Sequence, residues 1–254
     1  MRLRQFVWVA EKLKPVEEAI CDVLGVDVCY NDPGVGKFGL ENSLMPLNGN
    51  LLEIVAPVQE GTTAGRYLER RGGDGGYMVI LQCDDALAER ERISGLGVRD
   101  VWRHDGDNYA ATHFHPADVP GAILSIDSMT PGEDWHQELA TWQWAGPDWQ
   151  RCVRTDVSQA LVGVEIQADN PGAVARQWSK VLDRPMKDSE HGAQIRLDNA
   201  RLRFVEPRDG RGLGISGIDV VPQNRAHILA AAKRRGLNPT DDAFDLGGLR
   251  VYLV

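Results

Sequence analysis

Glu41-Asn42-Ser43-Leu44-Met45-Pro46-Leu47 runs through Asn48-Gly49 into Asn50-Leu51-Leu52-Glu53-Ile54-Val55. Residues 43–47 and 51–55 read as strands, because Asn-Gly favours the left-handed backbone of a tight hairpin. Alternation sends Glu53 to the face opposite Leu52 and Ile54. Upstream, residues 5–9 read as a strand and 16–24 as a helix stopped by Gly25, so Gln5 stands 48 residues before Glu53. The same interval separates Tyr77 from Ser125.

That second interval holds the same order of signals. Residues 77–81 read as a strand, 84–93 as a helix, and 98–103, 109–115 and 122–126 as strands, after a connector with a short helix at 63–70. A shift of 72 residues carries Gln5 to Tyr77, Glu41 to His113, Ser43 to His115 and Glu53 to Ser125. Self-similarity of this kind predicts a repeated supersecondary unit whose copies share one core. The pattern returns twice more: strand 161–167, helix 171–182 and strands 194–197 and 202–205, then strand 215–221, helix 225–235 and strands 243–246 and 249–253. Pro171 suits a first helical turn, and Gly236 after Lys233-Arg234-Arg235 suits a helix end. Between the two pairs, four of the seven tryptophans (Trp135, Trp142, Trp144 and Trp149) fall in a stretch punctuated by Pro131, Gly132, Gly146 and Pro147. The expected organisation is a first domain at 1–130 with the candidate cleft, a Trp-rich bridge at 131–157 packed on the domains, and a degenerate second domain at 158–254.

Composition narrows the function classes. A chain of 254 residues with 43% hydrophobic residues fits globular domains. Its 37 acidic and 28 basic residues give a net charge of −9, which disfavours nucleic acid and anionic membrane as partners. Cys21, Cys29, Cys83 and Cys152 are too widely spaced for a compact zinc motif and read as reduced, mostly buried thiols. No apolar stretch approaches membrane-spanning length. A cytoplasmic protein is the expectation, with a small-molecule ligand as partner and a homodimer as a possible assembly. Gly72-Gly73-Asp74-Gly75-Gly76 leads into a strand without a following Lys-Ser or Lys-Thr, so it is a connector and not a phosphate loop.

The units resemble the vicinal-oxygen-chelate superfamily, especially its glyoxalase-like branch. The resemblance rests on 41–47 with 50–55, on Gly72-Gly73-Asp74-Gly75-Gly76-Tyr77-Met78-Val79-Ile80-Leu81, and on His115-Pro116-Ala117-Asp118 running into Gly121-Ala122-Ile123-Leu124-Ser125-Ile126. It implies an α+β fold of four β-α-β-β-β units, paired into two curled mixed-sheet domains of glyoxalase/bleomycin-resistance type. It also implies a divalent metal as candidate cofactor, held by Gln5 and Glu53. Tyr77 and Ser125, at the matching positions of the second unit, are weak ligands. His113 and His115, on one face by alternation, are candidates to complete the set or to exchange a proton near neutral pH. In the second pair Gly163, Gly217 and Arg203 take the corresponding positions, which offers no ligand set.

Asn42, Ser43, Tyr77 and Trp102 are candidates for ligand recognition, each with an ordinary structural alternative. The resemblance implies an enzyme acting on a small oxygenated organic molecule, by lyase or isomerase chemistry ahead of dioxygenase chemistry. A noncatalytic small-molecule-binding or sequestration protein and a structural or regulatory protein remain the alternatives.

Overall fold

A computed structural model describes residues 1–189 and 192–254. The first sheet is built from β1 (Arg2–Val9), β2 (Leu40–Leu47), β3 (Asn50–Pro57), β4 (Gly75–Gln82), β5 (Asp100–Gly106), β6 (Tyr109–Phe114) and β7 (Ile123–Met129). Its order is β2-β3-β1-β4-β7-β6-β5. The second is built from β8 (Ser158–Gln167), β9 (Met186–Ser189), β10 (Gly192–Arg196), β11 (Arg201–Val205), β12 (Gly214–Pro222), β13 (Ala243–Leu246) and β14 (Leu249–Leu253). Its order is β13-β14-β12-β8-β11-β10-β9. Each sheet mixes parallel pairs, such as β1 with β3, and antiparallel pairs, such as β1 with β4.

Two expectations need correction. The sheets are open rows and not curled: neither sheet pairs its two edge strands. Closure of the first would require β2 to meet β5. The 3-10 turns Gln143–Ala145 and Trp149–Cys152 of the bridge pack against β2. Nor does every unit have four strands. The first (β1, then helix α1 at Leu13–Leu24, then β2 and β3) and the fourth (β12, helix α5 at Arg225–Arg234, β13 and β14) have three each. In the first, Pro33, Gly34 and Gly36 force a 3-10 turn at Pro33–Phe38 where a further strand would run. In the fourth, Asn238 takes a left-handed backbone immediately before Pro239 and interrupts extension.

Helices cover one face of each sheet. In α1 the buried Leu13, Val16, Ile20, Val23 and Leu24 form one stripe, and Gly25 ends the helix with φ of 66°. Helix α4 (Pro171–Leu182) begins at the Asn170 cap and buries Val174, Ala175, Trp178, Val181 and Leu182. These stripes join Phe6, Trp8, Leu52, Ile54, Val164, Ile166, Leu202 and Phe204 in one core shared by both sheets. Two arginines tie the sheets: Arg71 donates to the carbonyls of Arg211, Gly212 and Leu213, and Arg211 donates back to those of Arg71, Gly73 and Asp74. The opposite face of the first sheet is covered only at its margins. The short helix α2 (Thr63–Arg71) reaches it through Ala64 and Leu68, and the bridge reaches it through Trp142 and Trp149. The space between them is available for a site. The four cysteines are free thiols, and among the described residues no helix is long and apolar enough to cross a membrane.

Candidate functional site

On the open face of the first sheet lies a cavity of about 1200 Å³. Two bulges decide which side chains reach it. Between Leu3 and Gln5 the β1–β4 register slips, so Arg4 and Gln5 both turn to this face and Leu3 and Phe6 both turn to the core. A second slip between Val7 and Trp8 makes Tyr77 the extra residue, with Met78 opposite Val7 and Ile80 opposite Gln5. Glu53 lies beside Val7 and Ser125 beside Ile80. The two halves therefore exchange Gln5 with Met78 and Glu53 with Ser125. Met78, one residue past Tyr77, is the positional partner of Gln5.

Glu53 is buried at the cavity wall with both oxygens engaged. Gln5 Nε2 donates to Oε2 at 2.6 Å and Asn42 Nδ2 donates to Oε1 at 2.6 Å. The amide orientations are forced. The Gln5 oxygen accepts the Trp142 indole N–H at 2.7 Å, and the Asn42 oxygen accepts the Asp32 backbone N–H at 2.8 Å. Since both of those donors can only donate, each amide must present its NH₂ to Glu53. Burial pushes the Glu53 carboxyl up to about 7, against the two amide donors that favour the charged form.

Asp127 repeats this setting in the other half. Its carboxylate accepts from Ser125 Oγ at 2.5 Å and from Trp144 Nε1 at 2.7 Å, and burial raises it to about 7. The sequence reading missed it, although alternation from Ser125 places it on the same face. Trp142 and Trp144 come from the bridge, which β1 anchors through arginines. Arg4, fully buried, donates to the carbonyls of Gly49, Glu138 and Ala140 at 2.6, 2.9 and 2.6 Å. Its guanidinium also lies 5.3 Å from the Trp142 ring and 5.2 Å from the Trp149 ring. Burial draws Arg4 down to about 9. Arg2 donates to the carbonyls of Trp135, His136 and Gln137. Gly49 permits this close approach, since a Cβ there would meet the Glu138 carbonyl oxygen at 2.6 Å.

The remaining candidates divide. Tyr77, Trp102, His113 and His115 line the same cavity as Gln5, Asn42 and Glu53. Tyr77 packs edge-on against Tyr67 at 5.1 Å, and burial raises its phenol to about 12. His113 packs at a tilt against Trp102, with ring centroids 4.4 Å apart, and burial, with Lys37 adding to it, lowers its imidazole to about 3. The lowered value favours the neutral imidazole near pH 7. His115 sits just past β6, where its Nδ1 accepts from the Ala117 N–H at 3.0 Å. Both histidines belong to the far side of the sheet, four strand positions from β3 in the order β3-β1-β4-β7-β6. Ser43 points to the opposite face of β2, donating to Glu17 and accepting from Asn31 at 2.9 Å. His104, Tyr109 and Trp144 continue the row begun by Trp102, with centroids 5.0 to 5.8 Å apart, while Lys37 caps Trp102 at 4.8 Å.

These residues do not fit the divalent metal that the resemblance implies. Glu53 meets two amide NH₂ groups, the Gln5 oxygen is taken by an indole, and Met78 and Ser125 complete the set. A hard cation needs several free oxygens and a softer one needs imidazole or thiolate. Among the described residues, no group of three or more His, Cys, Asp or Glu side chains could hold a metal ion.

The family described as "Glyoxalase-like domain" matches residues 6–182. A hypothetical protein from Staphylococcus aureus has a similar crystal structure over 99% of this chain and 98% of its own, with a TM-score of 0.66 and 11% identity. A variant of the Streptomyces coelicolor methylmalonyl-CoA epimerase, in complex with 2-nitronate-propionyl-CoA, is similar over 51% of this chain and 97% of its own, with a TM-score of 0.46 and 19% identity. The Mycobacterium tuberculosis methylmalonyl-CoA epimerase is similar over 51% and 88%, with a TM-score of 0.45 and 22% identity. No curated protein matches significantly. With more than half its length matched, the chain belongs to the glyoxalase-like domain family, within the vicinal-oxygen-chelate superfamily.

Proposed function

We propose that the protein acts on a small oxygenated organic molecule in the first-sheet cavity, with Glu53 moving a proton at a carbon next to a carbonyl. This is chemistry of the lyase or isomerase kind. The observation that supports it most is the Glu53 carboxyl, buried at the cavity wall, held by two fixed amides and raised to about 7. Such a group exists in both forms near neutral pH, so the carboxylate takes a proton from carbon and the acid returns it. The charge that develops on the substrate oxygen needs a donor. Tyr77, with its phenol raised to about 12, remains a neutral O–H donor on the same wall.

A second reading, a noncatalytic small-molecule-binding protein, is favoured by the aromatic row from Trp102 to Trp144, which offers stacking without chemistry. One experiment separates the two. A panel of small carbonyl compounds is incubated with the protein in D₂O and followed by NMR for binding and for exchange at the carbon next to the carbonyl. The proposal expects exchange that Glu53→Gln abolishes while binding persists. Binding without exchange in the native protein selects the second reading, and the absence of both rejects the cavity as a site for such compounds.

A further inference from the structure

We propose that the second sheet carries a separate binding site for a small polyanion, a phosphate ester or a polycarboxylate, on the open face of β9, β10 and β11. A cavity of about 1010 Å³ lies there, lined by Arg184, Lys187, Gln194, Arg196, Asn199 and Arg201 among others. The register explains how the cations gather. Arg196 stands directly opposite Arg201, and Gln194 is opposite both Lys187 and Arg203, so all five side chains share one face. Like charges directly across an antiparallel pair destabilise it unless a counter-charge intervenes. This occurs in a chain whose net charge is −9, so the cluster is a local reversal of the overall field.

Among the described residues, the nearby side-chain carboxylates are already committed. Asp219 receives Arg203 Nη2 at 2.5 Å and Arg201 Nε at 3.1 Å. Glu165 receives Arg203, Ser216 at 2.9 Å and Tyr252 at 3.2 Å. Asp198, the one side-chain carboxylate lining the cavity among the described residues, is shared by Arg184 at 2.9 Å and the Met1 amino group at 2.6 Å. Among the described residues, Lys187 and Arg196 have no acidic partner, and Arg201 spends only its Nε. Two unpaired cations and a half-used guanidinium suit a ligand carrying at least two negative charges. Planar guanidinium groups favour carboxylate and phosphate oxygens, which they bind in pairs.

Calorimetric titration of the whole protein with inorganic pyrophosphate, citrate and acetate, at low salt and without divalent metal, tests the site. The expected result is saturable binding of pyrophosphate or citrate, roughly tenfold or more tighter than acetate and weakened by added salt. The tighter of the two identifies the class, phosphate ester or polycarboxylate. Arg196→Glu should abolish binding and Lys187→Ala should weaken it, whereas Glu53→Gln should leave it unchanged because that residue belongs to the other sheet. Arg196 and Lys187 are exposed, and unchanged thermal unfolding of the free variants would show the fold intact. Absence of saturable binding by both polyanions, or binding indifferent to Arg196→Glu, overturns the proposal.

Discussion

The open faces of the two sheets occupy matching places in the fold and solve the same burial problem in opposite ways. At Glu53 in the first sheet, neutral amides surround a carboxyl, and among the described residues no cation pairs with it. The closing strand of the third unit puts Arg203 at the corresponding place, paired with Glu165 beside it and with Asp219 on β12. The first arrangement leaves a carboxyl poised between its two forms. The second locks charge against charge, with surplus cations at its margin. A repeated unit thus keeps its backbone while the chemistry on its open face diverges.

The comparison predicts unequal responses to substitution. The largest effect is expected from Arg203→Ala, which leaves the buried Glu165 without its guanidinium and Asp219 with only Arg201 Nε. Denaturant unfolding should show a loss of about 3–5 kcal/mol. An effect no larger than that of Glu53→Gln would break the contrast between the two faces. Next comes Arg4→Met, which strips the Glu138 and Ala140 carbonyls of their charged donor and leaves Gly49 with only Arg2. A loss of about 3 kcal/mol is expected, with new protease cleavage between residues 131 and 149 as the direct sign that the bridge has come away.

The third prediction is a pH dependence. Glu53 and Asp127 are raised in the folded state to about 7 from 4.5 and 3.8. The native state therefore holds protons that the unfolded chain releases. The stabilisation from these groups is complete below the unfolded values and is lost as pH rises through 7. Each should contribute on the order of 3 kcal/mol between those limits. His113, lowered to about 3, acts in the opposite sense, since protonation of the unfolded chain below about 6.5 disfavours folding. The readout is accordingly the difference between the native protein and Glu53→Gln or Asp127→Asn across pH 4 to 8. Curves that run parallel would contradict the assignment. The smallest effect is expected for Trp142→Phe, which removes one indole donor from Gln5 and should cost about 1 kcal/mol. A ligand-binding change larger than that loss would show that the indole also meets the ligand.

Much of this architecture was legible in the sequence because its signals are local. The α4 helix at 171–182 follows from Pro171 at its first turn, and the structure adds the Asn170 cap. The β2–β3 hairpin follows from Asn48-Gly49, with Asn48 at φ of 51°. The site was harder to read, for three physical reasons. Alternation fails at a bulge, so Arg4 and Tyr77 each shifted the register by one residue, and Met78 stands where Tyr77 was expected. Adjacent strand residues point to opposite faces, so Asn42 and Ser43 could not both reach the cavity, and Ser43 went to Glu17. The donors from Trp142 and Trp144 depend on how a long bridge folds back over β1, which no local pattern encodes. The expectation of curled sheets failed because each sheet is an open row whose edge strands, β2 and β5 in the first and β13 and β9 in the second, do not pair.

Whether Glu53 is a near-neutral acid in its cavity can be read from a titration of that one carboxyl. Carbon-13 NMR of protein labelled at glutamate side-chain carboxyls, with the Glu53 signal assigned by its absence in Glu53→Gln, would follow that one group from pH 3 to 9. The account predicts a midpoint near 7. A midpoint at the ordinary glutamate value of about 4.3 would contradict it, and would remove the proton-transfer role with it.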